Sequence, residues 1–203
     1  MKKFFKALKR KFLTIFGDIK VYKWPMFIVY DPSQYLSGDK LEGILSCLRP
    51  GDIVCRGYKA YADSWFIPGK YSHSGIYIGD GKMIHAIAEG VGEVHVLSFL
   101  QCDRAIVLRL HPEFKHKGGR EELIGKVVET ARSLIGTKYD FDFRTDNEYL
   151  YCHELTATCY NAAGVEVKKH TPKLLWGLIK GKHKVYLAQS FLESPAFVTV
   201  CEA

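Results

Sequence analysis

The sequence predicts an α+β fold in which a small, curled antiparallel sheet packs against helices, one of which begins near a cysteine. Two observations predict this fold. Short strand-like segments, separated by Gly, Asp and Pro turns, fill residues 52–111. From residue 119 onward the apolar residues instead follow helical spacing. We expect a single domain at 19–203, preceded by a helix at 1–18, because no repeat or low-complexity linker divides the chain.

The positive charge of the chain is concentrated at its N-terminus. The formal net charge of +7 comes from 29 Lys and Arg against 22 Asp and Glu. Residues 1–17 hold six of these cations and no acid, so the remainder is close to neutral. This distribution argues against a diffuse nucleic-acid-binding surface. With 47% hydrophobic and 25% charged residues, the composition is that of an ordinary globular protein.

Residues 1–18 are predicted to form a basic amphipathic helix. On a helical wheel the apolar side chains form one arc, and Lys and Arg fill most of the rest. The arc consists of Phe4, Phe5, Leu8, Phe12, Ile15 and Phe16. The pattern fits two arrangements equally: residues 1–16 lying on an anionic membrane surface, or a helix packed on its own domain.

The sequence gives no convincing secretory signal. The apolar run of the N-terminal segment is too short for a signal core, and no Ala-x-Ala-like cleavage site follows it. We therefore expect a cytoplasmic protein, either free or peripheral at a membrane. Free thiols are expected there, and without a CxxC pair a structural zinc site has little support. The six cysteines are Cys47, Cys55, Cys102, Cys152, Cys159 and Cys201.

The first predicted elements are a helix and five strands. After an extended lead-in, "SGDKLEGILSCLRPGD" predicts a helix with Ser37 as N-cap and Pro50 and Gly51 as its stop. The strands are "DIVCRG", "HSGIYIG", "KMIHAIA", "GEVHVLSF" and "AIVLRLH", each bounded by turn residues.

Three helices and a late strand or two are predicted for the rest. Apolar spacing in "REELIGKVVETARSLIG" predicts a helix that stops at Gly136. A polar aromatic loop leads to a second helix, "YCHELTATCYNAAG", with Gly164 as its C′ residue. "TPKLLWGLIKG" predicts a third, with Thr171 as N-cap and Pro172 at N1.

Cys152 is a candidate nucleophile because it lies in the first turn of the second of these helices. Free backbone N–H groups and the helix dipole lower the pKa of a thiol there, and the thiolate is the reactive species. A lone cysteine at such a place is otherwise a small buried hydrophobe. His73 and His85, on either side of a Gly-Asp-Gly turn, would supply the imidazole and the polar orienting group that a thiolate hydrolase needs. Cys159, deeper in the helix, is expected to be packing.

Three blocks of the sequence together resemble the NlpC/P60 cysteine hydrolases. "SHSGIYIGDGKMIHA" (72–86) is similar to their histidine-bearing hairpin, and "RPGDIV" (49–54) to the barrel strand before it. "YCHEL" (151–155) is similar to the start of their nucleophile helix. Here the cysteine follows the histidines, as in the circularly permuted YiiX/YebB-like branch. The resemblance covers roughly residues 45–200 and implies a permuted papain-like (NlpC/P60) fold.

The resemblance also implies roles for individual residues. It makes Cys152 the nucleophile, His73 the general base and His85 the residue that orients the base. It makes Tyr139 and the backbone N–H of Cys152 contacts to the oxyanion. Permuted members often carry Glu where this chain has His85, so the third role could instead fall to Glu89.

The two histidines require an irregular hairpin. If Asp80 and Gly81 formed a two-residue turn in a regular ladder, His85 would pair with Ile76 and leave His73 on the opposite face. One extra residue corrects the parity. We therefore predict a bulge, either in a three-residue loop or at a glycine in the strand.

The sequence favours a cysteine hydrolase that cleaves an amide bond through a thioester, without cofactor or metal. The resemblance implies cell-wall-type peptides or N-acyl amino compounds as substrates. A lipid acyl hydrolase or acyltransferase of the LRAT-like type, acting on a membrane surface, and a non-catalytic binding module are the alternatives. A zinc site of His73, His85 and Cys152 would lack a separate base for the metal-bound water. Candidate substrate-binding residues are Asp63, Trp65, Tyr71 and Tyr151.

Overall fold

The computed structural model describes residues 36–58, 69–140, 143, 148–172 and 183–203, and the backbone of four short strands outside them. The predicted helix at 1–18 and the candidates Asp63 and Trp65 lie outside the described residues. The chain separates into two compact units, residues 1–35 and 36–203. In the first unit, strand β1 (Ile19–Val21) pairs antiparallel with β2 (Ile28–Tyr30).

The second unit is built around a six-stranded antiparallel sheet. Its strands are β3 (Ile53–Gly57), β4 (His73–Gly79), β5 (Lys82–Ile87), β6 (Gly90–His95), β7 (Arg104–Leu110) and β10 (Phe197–Glu202), and two short strands, β8 (Lys173–Leu174) and β9 (Ile179–Lys180), pair separately. The order in the sheet is β10-β7-β3-β4-β5-β6. The helices of the described residues are α1 (Gly38–Cys47), α2 (Val96–Phe99), α3 (Gly119–Ser133), α4 (Cys152–Ala162) and α5 (Gln189–Leu192). This curled, open sheet packed on helices is the predicted α+β fold.

The centre of the sheet is covered on both faces. Ile53, on one face, packs in a buried cluster with residues of α3 and α4. Its neighbour Val54 packs in a second cluster with Ile44 of α1 and Phe99 of α2. Successive side chains of a strand point to opposite faces, so β3 is apolar along most of its length. The helix that carries the cysteine therefore lies on one face, and α2 lies on the other.

An ion pair joins the start of β3 to β7. The Asp52 carboxylate accepts hydrogen bonds from Arg109 Nε at 2.8 Å and Nη2 at 2.7 Å, and from the backbone N–H of Arg49 at 2.7 Å. Arg109 also donates to the carbonyl of Cys47, the last residue of α1. Asp52 is only 1% exposed. The pair thus ties the C-terminus of α1 to the sheet.

The predicted helix ends agree well with the structure, with Gly164 as the clearest case. Helix α4 ends at Ala162, and Gly164 follows it with φ of 84°, as a C′ glycine does. The helix predicted after Ser37 begins at Gly38.

Two local predictions are wrong. A helix was predicted at 171–181, but within this stretch residues 173–174 and 179–180 form β8 and β9, paired as Lys173 with Lys180 and Leu174 with Ile179. Gly177 in the middle of this stretch disfavours a helix. The strand predicted to run through "GEVHVLSF" ends at His95, and α2 follows it. His95 caps that helix, because its Nδ1 accepts a hydrogen bond from the N–H of Leu97 at 3.2 Å.

The six cysteines, all within the described residues, have free thiols. Among the helices of the described residues, none has both the length and the apolar character needed to span a bilayer.

Candidate active site

The hairpin of β4 and β5 contains the predicted irregularity. Gly75 pairs with His85 and Tyr77 with Met83, but the next pair is Gly79 with Lys82. Ile78 is therefore the extra residue of a bulge, located near the turn. Because of this shift, His85 lies opposite Gly75 and shares a face with His73.

The rings of His73 and His85 are in direct contact. His73 Nε2 lies 2.9 Å from His85 Nδ1, and the rings meet edge to face with their centroids 5.2 Å apart. Phe99 packs against both, at 5.5 Å from His73 and 5.4 Å from His85. Gly75 permits this packing, since a Cβ there would lie 3.0 Å from Phe99 Cε2 and 2.9 Å from the carbonyl oxygen of Ile84. The three rings form a compact group over the glycine.

Both histidines are neutral at rest. Burial, followed by the charge of Arg56, lowers the pKa of His73 well below its ordinary value of 6.5. The same two causes lower the pKa of His85 to about 4. In a neutral pair one ring donates and the other accepts. When His73 Nε2 is the donor, its Nδ1 is unprotonated and can accept a proton.

Cys152 is the first residue of α4, as the sequence predicts. Its side chain is 4% exposed, and its Sγ lies 3.9 Å from the carbonyl oxygen of Ser72, the residue before His73. Within the described part of the chain, the thiol makes no direct hydrogen bond to either histidine ring. Catalytic hydrogen bonds are often long in a protein without substrate and shorten on binding.

The thiol of Cys152 is protonated at rest, contrary to the pKa expected at a helix start. Burial raises its pKa to about 11, although backbone N–H groups of Ser74, His153 and Cys152 itself act in the opposite direction. Loss of solvent around the thiolate thus raises the pKa of Cys152 more than the N–H groups at the helix start lower it. The site holds a neutral thiol and neutral imidazoles rather than a preformed ion pair.

Comparison with known proteins agrees with this arrangement of a cysteine helix after a histidine hairpin. The profile of the permuted papain-like amidases, the YaeF/YiiX or C92 family, matches residues 47–201. The chain belongs to this family. It is therefore an enzyme of the cysteine hydrolase class, and the circularly permuted papain-like fold implied by the sequence is confirmed.

A solved structure supports the fold of this amidase. The metalloprotein YiiX from Escherichia coli O157:H7 superposes with a TM-score of 0.61 at 21% identity, over 77% of this chain and 98% of that one. No curated protein matches the chain.

A buried polar network fixes the first turn of the amidase's cysteine helix on β4. Ser74 Oγ lies 2.8 Å from His153 Nδ1 and 3.1 Å from Thr156 Oγ1. Both hydroxyls donate to the carbonyl oxygen of Cys152, from Thr156 at 3.1 Å and from Ser74 at 3.3 Å. The sequence analysis missed Ser74 and Thr156, although the alternation of β4 places Ser74 on the face opposite His73, toward the helix.

Arg56 is a further residue of the site that the sequence analysis missed. It lies directly opposite His73 in the β3–β4 ladder. Its Nη1 donates to the carbonyl oxygen of Phe99 at 2.6 Å, and its Cζ lies 4.6 Å from the Phe99 ring. A charged residue inside the apolar strand "DIVCRG" was the signal that could have found it.

Two candidate substrate-binding residues lie in the core. Tyr71 is 2% exposed and donates its hydroxyl to Glu202 Oε1 at 2.8 Å. Tyr151 is 1% exposed, and its hydroxyl accepts the N–H of Tyr186 at 2.7 Å. Both hydroxyls are occupied in the packing around the site rather than presented to a substrate.

The remaining candidates differ in their relation to the site. Tyr139 is partly buried near the cysteine: burial, then Cys152 and Asp140, raises the pKa of its hydroxyl above the ordinary value. Glu89 is exposed two residues beyond the end of β5. His85, rather than Glu89, contacts His73. Among the described residues, no three His, Cys, Asp or Glu side chains are grouped to hold a metal ion.

Proposed function

We propose that this amidase cleaves its substrate by acylating Cys152, with His73 as general base and His85 as the orienting residue. The contact of 2.9 Å between His73 Nε2 and His85 Nδ1 carries the proposal. Because Nε2 is used in this contact, Nδ1 of His73 remains to accept a proton. His73 directly follows Ser72, whose carbonyl oxygen lies 3.9 Å from the Sγ of Cys152. An imidazole oriented by a polar partner, near a cysteine at a helix start, is the constellation of a thiol hydrolase.

The proposed reaction has two steps, acylation of Cys152 and hydrolysis of the resulting thioester. As the sulfur attacks the carbonyl carbon, Nδ1 of His73 takes the thiol proton, and the N–H of Cys152 with Tyr139 stabilises the oxyanion. The imidazolium then gives the proton to the leaving amine, and a thioester remains. In the second step His73 takes a proton from water, the hydroxide adds to the thioester, and the carboxylic acid leaves as the thiol is restored.

We propose as substrates a cell-wall-type peptide or an N-acyl amino compound. A panel of both classes, assayed for release of the free amine, tests this. Cys152→Ala should abolish release, and His73→Ala should lower kcat by about 10²–10⁴-fold. Cys159→Ala is the matched control, because Cys159 is buried in the same helix and its removal should leave turnover of the same order. Turnover that survives Cys152→Ala would contradict the proposal.

The basic segment at 1–16 supports a separate proposal, that the amidase associates peripherally with an anionic membrane surface. The full chain should sediment with vesicles that contain phosphatidylserine, and the chain without residues 1–16 should not. Equal binding by the truncated chain, or none by the full chain, would contradict it. Release of fatty acid from the vesicle phospholipid in a Cys152-dependent manner would instead favour the lipid acyl hydrolase.

A further inference from the structure

A guanidinium group borders the histidine pair, and its position is set by the sheet. Arg56 faces His73 across the β3–β4 ladder, on the face that also carries His85. The Phe99 ring contacts all three side chains, with the guanidinium carbon 4.6 Å from its centroid. Arg56 is therefore held beside the residues that would perform the chemistry.

The anchors of Arg56 are neutral groups. Its Nη1 donates to the carbonyl oxygen of Phe99 at 2.6 Å, and its Cζ lies 5.6 Å from the centroid of the Tyr58 ring. In the described part of the chain no carboxylate lies within 4.0 Å of its nitrogens, and its buried Nε has no hydrogen-bond partner there. By contrast, Arg109 in the same sheet is paired twice with Asp52. A partly buried cation without an anion is an incomplete arrangement.

The charge of Arg56, which has no anionic partner among the described residues, opposes protonation of His73, although it also lowers the pKa of Cys152. The proposed cycle needs His73 to carry a proton after the thiol has lost it. Arg56 is the largest charged contribution that lowers the pKa of His73, after burial itself. An anion beside Arg56 would offset this field and make protonation of His73 easier.

From this geometry we infer that Arg56 forms a carboxylate-binding subsite, which takes a carboxylate of the substrate close to the scissile amide. The inference rests on the proposed function, because it names the substrate class of the same site. A guanidinium matches a carboxylate through two parallel N–H donors, which fixes orientation as well as charge. The subsite would make a substrate with a free carboxylate the preferred class and would couple its binding to proton transfer.

Two alkylating reagents of similar size, one charged and one neutral, test the subsite without knowledge of the substrate. Iodoacetate carries a carboxylate and iodoacetamide does not. In both reactions the Cys152 sulfur bonds to the methylene carbon and iodide leaves. The rates at Cys152 are measured separately by mass spectrometry of its peptide in the full chain, because Cys47 and Cys201 are partly exposed and can react as well. The readout is the ratio of the iodoacetate rate to the iodoacetamide rate.

We expect Arg56→Met to lower this ratio about tenfold, since it removes a positive charge whose field reaches the Cys152 thiol. Arg56→Lys keeps the charge and should retain most of the ratio. Arg132→Met is the matched control, because Arg132 is exposed on α3, and it should leave the ratio unchanged. The ratio is internal to each variant, so a general loss of reactivity does not imitate the effect.

An unchanged ratio in Arg56→Met, with Cys152 still alkylated by iodoacetamide, would overturn the subsite and leave the proposed function standing. If Cys152 of the wild type reacts with neither reagent, while Cys47 or Cys201 does, the nucleophile assignment fails and the subsite falls with it.

Discussion

His73 and His85 are brought within hydrogen-bonding distance by a single bulged residue between them. Ile78 has no partner of its own in the ladder, so the register shifts and the two imidazoles share a face, with Nε2 and Nδ1 2.9 Å apart. In a regular hairpin the rings would lie on opposite faces of the sheet. The geometry of the site thus depends on local backbone irregularity, and it can be tested by disturbing its neighbours.

Gly75→Ala should disturb the ring group directly. The new Cβ would lie 3.0 Å from Phe99 Cε2 and 2.9 Å from the backbone oxygen of Ile84, so both must move. We expect a loss of about 1–3 kcal/mol in the free energy of unfolding and slower alkylation of Cys152. Gly92→Ala is the control, since a Cβ at Gly92, also opposite His85, meets open space. Equal effects of the two substitutions in urea unfolding and alkylation would contradict this explanation.

His85→Glu should raise the pKa of His73, because a carboxylate would replace a neutral ring beside it. A base that holds its proton more readily takes the thiol proton at lower pH. We expect faster reaction of Cys152 with iodoacetamide at pH 6 than in wild type. His85→Gln, which keeps a polar group without charge, should not increase the rate. The prediction fails if Glu and Gln variants react at the same speed.

Asp52→Asn should be strongly destabilising. It removes the negative partner of Arg109, whose side chain is only 17% exposed, and leaves the cation poorly paired. Breaking a buried ion pair at one partner costs about 3–5 kcal/mol, and we expect about 3 kcal/mol in urea unfolding. The comparison is Glu93→Gln, which breaks the exposed pair with Lys82 and should cost less than about 1 kcal/mol. Similar losses in the two variants would show that burial is not the cause.

The protein should lose stability as the pH falls from about 6.5 to about 4. Burial lowers the pKa of His85 and of His153 to about 4 in the folded protein. In this window the unfolded chain binds protons at these residues and the folded one does not, so protonation favours unfolding. Each contributes up to about 1.4 kcal/mol per pH unit. His153→Gln should reduce the slope of unfolding free energy against pH by about that amount, and an unchanged slope would contradict the assignment.

Much of the fold was predictable because it rests on local patterns. Strand alternation, helical spacing and the C′ glycine at Gly164 are each visible within a few residues. The need for a bulge followed from parity alone, although its location at Ile78 did not, since several glycines could have accommodated it. The helix prediction for 171–181 is wrong because a short apolar run fits a helix or a strand equally well.

The electrostatic character of the site was not predictable from the sequence. The helix start suggested a thiol with a low pKa, but the degree of burial of Cys152 emerges only when α4 packs on β4. Arg56 and Ser74 likewise become part of the site through cross-strand register and helix packing, which bring together residues far apart in the chain.

The central claim, that Cys152 forms an acyl intermediate resolved by His73, is tested most directly with an activated ester. After brief mixing with p-nitrophenyl acetate and acid quench, mass spectrometry of the peptides locates any acetyl group. We predict a transient acetyl on Cys152 in wild type, none in that peptide for Cys152→Ala, and in His73→Ala slow acetylation with little release. Acetylation confined to other residues, or turnover unaffected by His73→Ala, would contradict the account.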